Sequence, residues 1–184
     1  MSSPLNLILK SETSRILYLL VFAIILVVIR VIFSAFYHDA VFFPNLPLIA
    51  LIYFSFYMEL FAGAVASYAL FYIYGSLTTL NPAAFALAGV IAFAVSFYFW
   101  KQFMADNIIY ELITTLISVM VYYITVFFIA FYFFKFRYNF LHFLLIYMLP
   151  VCITTALASP FIFYLFKKID SVFGSGKRTG KITA

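Results

Sequence analysis

The chain has 184 residues, of which 67% are hydrophobic, 23% aromatic and only 9% charged, with a net charge of +5. Its mean hydropathy is +1.15. A soluble domain of this size cannot hide so much apolar surface in one core, so soluble enzymes and soluble binding modules are excluded and the lipid bilayer is the solvent.

The sequence is almost continuously apolar from Ile16 to Phe166. Since a bilayer core takes about 20 apolar residues per helix, this stretch holds roughly five to seven spans. The division is a short N-terminal segment (1–15), a transmembrane helical domain (16–166) and a basic tail (167–184). Apolar runs on both faces, without alternation, exclude a membrane β-barrel. The fold class is therefore all-α, a polytopic bundle of about six transmembrane helices with both termini cytoplasmic.

The first helix covers about 16–36, behind Lys10 and Arg15. It is too long for a signal core, and Phe33 stands where cleavage after Ala35 would need a small residue, so it reads as a retained signal-anchor. His38, Asp39, Pro44, Asn45 and Pro47 make the first loop. The second helix, 46–59, is short for a full crossing, and either a tilted or thinned bilayer or a partly re-entrant path accommodates it. Only Glu59 and Gly63 separate it from the third, 62–79. Asn81-Pro82 opens the fourth, 82–100, where a proline in the first turn loses no hydrogen bond. The fifth and sixth cover 108–134 and 141–166, divided by Lys135, Arg137 and Asn139.

Charge sets the parity. With six spans, Lys10, Arg15, Lys101, Lys167, Lys168, Lys177, Arg178 and Lys181 fall on one side, which the positive-inside rule makes cytoplasmic. An odd count would part Lys10 and Arg15 from the tail. This topology explains the positive charge without a nucleic-acid ligand.

Small residues at four-residue spacing mark helix contacts in lipid. Ala84, Ala88, Ala92 and Ser96 make one stripe, Ala62, Gly63, Ala66, Ser67 and Ala69 a second, and Thr154, Thr155, Ala158 and Ser159, with Pro160 beside them, a third. They serve either internal packing or a partner helix. Arg30 lies within the first span, about 9 Å from its end, and either snorkels to the interface or meets another helix. Glu59, Asp106 and Glu111 read as solvated acids at turns. His38, His142 and Cys152 are too scattered for a metal site. Cys152 is a packed thiol, and no intrachain disulfide can form. The tail Gly174-Ser175-Gly176-Lys177-Arg178 departs from a phosphate loop at Ser171 and Arg178, and reads as a basic segment beside anionic lipid. No catalytic motif, cofactor site or metal site is expected.

Three stretches carry a family resemblance. Pro44 to Tyr57 leads through Glu59 and Gly63 into a small-residue helix; Tyr74-Gly75-Ser76-Leu77-Thr78-Thr79-Leu80-Asn81-Pro82 forms a Gly- and Ser-containing turn; and Leu149 to Phe161 is followed by Lys167-Lys168-Ile169-Asp170. In this order they resemble the MreD family of rod-shape-determining membrane proteins over nearly the whole chain. One departure is that Tyr72-Ile73-Tyr74-Gly75 lacks the acid many members carry there, so no role passes to it. The resemblance implies a noncatalytic bacterial inner-membrane protein supporting cell shape and lateral peptidoglycan synthesis. Its partners would be MreC and, directly or indirectly, the elongasome proteins MreB, RodA and a penicillin-binding transpeptidase. A second class, the substrate-binding subunit of an energy-coupling-factor vitamin transporter, has the same size and helix number.

Overall fold

The computed structural model describes the backbone of residues 4–36, 42–78, 81–103, 108–134 and 139–173. The expectations for His38, Asp39, Asp106, Lys135, Arg137 and the tail from Gly174 onward fall outside those residues. The elements are α1 (Pro4–Phe36), α2 (Leu46–Tyr57), α3 (Leu60–Ser76), α4 (Pro82–Phe103), α5 (Ile108–Phe134), α6 (Phe140–His142), a π-helical stretch (Phe143–Met148) and α7 (Leu149–Phe173). The last three run on as one rod, and no strand occurs among the described residues. The chain is a membrane protein; the described residues form six helical rods, and four segments among them are long and apolar enough to cross a bilayer: Ser14–Phe36, Pro82–Gln102, Ile108–Phe133 and Phe140–Ser171.

Proline explains the irregular part of the last rod. Pro150 has no N–H, and its ring crowds the carbonyl four residues earlier, so the preceding turn widens to π geometry and Leu149 N–H donates to Leu144 O. Pro160 stands inside α7 without ending it. The Ala156 carbonyl that loses its helical donor accepts from Ser159 Oγ at 2.8 Å instead.

The architecture turns on α2. All eleven residues from Leu46 to Phe56 are buried, on every side of the helix. The other rods close a ring around it: α1 packs on α3 and α7, α4 joins α3 to α5, and α5 completes the circle against α7. A helix apolar all round belongs inside such a sheath. This resolves the short second span. Twelve residues rise about 18 Å, well under a bilayer's apolar thickness of about 30 Å, but α2 meets protein rather than lipid and need not match it.

Close approach of the ring depends on the small residues. Ala88, Ala92 and Ser96 are fully buried and Ala84 half-buried, so the α4 stripe faces inward. On α3, Gly63 and Ala66 are buried and Ala62 half-buried; a Cβ at Gly63 would stand 2.6 Å from the Phe93 ring. Since lipid tails are as apolar as these side chains, the gain comes from van der Waals contact and not from removing apolar surface from water. Trp100 stacks on Phe56 with ring centroids 4.3 Å apart, fixing the lower end of α4 against α2.

Arg15, near the start of the first span, meets Asp170, near the end of the last. The first and last spans therefore return to the same end of the bundle.

Candidate functional site

Two hubs of polar side chains stand at the two ends of α2. At its C-terminal end, Arg15 of α1 forms a two-pronged ion pair with Asp170 of α7, with Nη2 at 2.8 Å from Oδ2 and Nε bonded to Oδ1. The same guanidinium donates to the Tyr57 carbonyl at 3.5 Å. A planar fork matches a carboxylate in this way, and the carbonyl end of a helix favours a cation. Lys167 Nζ, one turn before Asp170, donates to Glu111 Oε1 of α5 at 2.8 Å and lies 5.7 Å from the Tyr57 ring centroid. The fully buried Tyr53 ring stacks on Phe166 at 4.6 Å, with its hydroxyl in the field of Asp170. This hub ties α1, α5 and α7 to the end of α2.

The second hub surrounds Asn45, the residue before α2. Its backbone N–H donates to Thr155 Oγ1 of α7 at 2.9 Å, and its side-chain Nδ2 donates to the Tyr123 hydroxyl of α5, also at 2.9 Å. Arg30 of α1 is 8% exposed and stands 5.5 Å over the Phe43 ring, two residues before Asn45. Its side chain is buried beside the segment that leads into α2. Asn45 thus joins the start of α2 to α5 and α7 through hydrogen bonds deep in the ring. Replacing Thr155 by Val keeps the shape but removes the acceptor of a buried N–H, and is expected to lower stability by about 1–2 kcal/mol. Thr155→Ser keeps the oxygen and should stay near wild type; denaturation in mixed micelles compares the two.

The remaining candidates divide clearly. Gly63, Ala66, Ala88, Ala92 and Thr155 are buried, while Ala84, Ala62, Thr154, Ala158 and Pro160 are half-buried. Glu59 is exposed beyond α2 and caps α3 through its backbone. Glu111, expected as a solvated turn acid, is 5% exposed and ion-paired, because Lys167 reaches it from the neighbouring rod. Sequence reasoning did not find Asn45, Tyr123 or the Arg15–Asp170 pair. The even span count could have found that pair, since it brings the first and last helix ends together.

No family model, curated protein or solved structure matches the chain. Its chemistry rests on its own geometry. No group of three His, Cys, Asp or Glu residues able to hold a metal occurs among the described residues. Cys152 is buried and lines an apolar groove of about 280 Å³ with Met120, Met148 and their neighbours between α5 and the last rod. Both hubs serve to join helices.

Proposed function

We propose that the chain is a noncatalytic scaffold of the rod-shape system in a bacterial inner membrane, with both termini cytoplasmic, all six rods within the membrane, and MreC as its direct partner. Through MreC it would support the MreB, RodA and penicillin-binding transpeptidase assembly and lateral peptidoglycan synthesis. The observation that carries this reading is the use of its charges. The closing stretch that resembles the MreD family ends in Lys167 and Asp170, and both side chains bind neighbouring helices. Such a frame holds a fixed outer surface, as scaffolding requires.

The partner face is on α7. Of the two small-residue faces that could receive a helix, the α3 face has Ala66 buried inside the ring. Thr154 and Ala158 of α7 are half-buried among the exposed Ile153, Leu157 and Phe161. A partner helix would lie along them by close packing. Ala158→Phe should abolish retention of MreC while the protein still folds; undiminished retention rejects the face.

Depletion from the native host tests the function itself. Rods should widen and round up as sidewall synthesis stops. Unaltered rods would reject the scaffold reading, and loss of uptake of a vitamin would favour the transporter-subunit class.

A further inference from the structure

We propose that water is bound inside the helix ring at the N-terminal end of α2, held between Asn45 Oδ1 and the Tyr122 hydroxyl. This goes beyond the scaffold reading and does not depend on it.

Asn45 is 1% exposed. Its two nitrogens are bonded to Thr155 and Tyr123, but Oδ1 accepts no hydrogen bond among the described residues. A buried acceptor in that state costs about 1–3 kcal/mol, so a donor is needed. The helix start cannot supply it. Pro47 has no N–H, Leu46 donates to the Pro44 carbonyl, and Leu48 and Ile49 donate to the Asn45 carbonyl. The hydroxyl of Tyr122, also 1% exposed, is a second buried polar atom without a hydrogen bond among the described residues. The Tyr122 ring lies 5.3 Å from that of Tyr123, whose hydroxyl accepts from Asn45 Nδ2, so the two orphan groups flank one hydrogen-bonded pair.

The chemistry selects the occupant. Asn45 Oδ1 calls for a donor, and the Tyr122 hydroxyl can donate or accept. A cationic ligand would meet repulsion from Arg30 and from the positive end of α2. Water satisfies both and adds no charge, and buried water typically bridges two to four polar groups of this kind.

Water-edited solid-state NMR on the labelled full chain in bilayers tests this without any substitution. The side chains of Asn45 and Tyr122 should gain water magnetisation several-fold faster than Leu51 and Ile52, which are fully buried, and approach the rate of the exposed Lys168. Build-up at Asn45 and Tyr122 no faster than at Leu51 would overturn the proposal. A small solute excluding water from the chamber would give that same slow result and count against it equally.

Discussion

Asp170→Lys is expected to destabilise the protein by about 2–3 kcal/mol, read as a lower midpoint in mixed-micelle unfolding. Breaking a fully buried pair costs about 3–5 kcal/mol and an exposed one about 1 kcal/mol or less. The side chains of Arg15 and Asp170 are 23% and 19% exposed, which places this pair between those limits. The substitution also sets two cations together at the seam where α1 meets α7, so the ring should loosen there first. Cysteines placed across that seam would cross-link less efficiently. The exchanged pair, Arg15→Asp with Asp170→Lys, should recover only part of the loss. Arg15 also donates to the Tyr57 carbonyl, and an aspartate there would face the negative end of α2. Wild-type stability for Asp170→Lys would show that packing alone closes the ring.

Gly75→Val should be more damaging, about 3 kcal/mol or more, with a loss of folded yield. A Cβ at Gly75 would stand 2.7 Å from Pro82 Cα and 3.2 Å from the Pro82 carbonyl oxygen. Both belong to the backbone of the next helix, so no rotamer change relieves the clash and α3 must move from α4. Overpacking usually costs about 1–3 kcal/mol, and a rigid neighbour puts this case at or above the top of that range. Gly63→Ala is the informative comparison. Its added Cβ meets the far end of the Phe93 ring at 2.6 Å, which a side-chain adjustment can relieve. Folded yield should therefore fall much further for the first variant than for the second, despite nearly equal contact distances. Equal yields would mean that the α3–α4 corner yields freely.

Much of the architecture could be read from residue order, for identifiable reasons. Apolar run length and the breaks at Asn45, Asn81-Pro82 and Asn139 located the rods, because loops at membrane edges need polar groups and helices in lipid do not. Boundaries moved where capping decided them: α2 ends at Tyr57, α3 ends at Ser76, and α7 continues past the apolar stretch to Phe173. The central place of α2 was not legible. A helix apolar on all sides has the same hydropathy whether lipid or protein surrounds it, so only tertiary contacts reveal the ring. The Ala88–Ala92 stripe was legible as a contact face, and its inward direction was not. Glu111 and Lys167 were read separately as interface charges, although they are 56 residues apart in sequence and bonded in space. A charge near a helix end gives no sign of whether its partner is water or a neighbouring helix.

The scaffold claim is tested most directly by purifying a tagged copy from its native host in mild detergent and identifying by mass spectrometry what stays bound. MreC together with wall-synthesis enzymes is the predicted result. Recovery of paired ATPases and a coupling membrane subunit, without MreC, would contradict it and make the chain a transporter component.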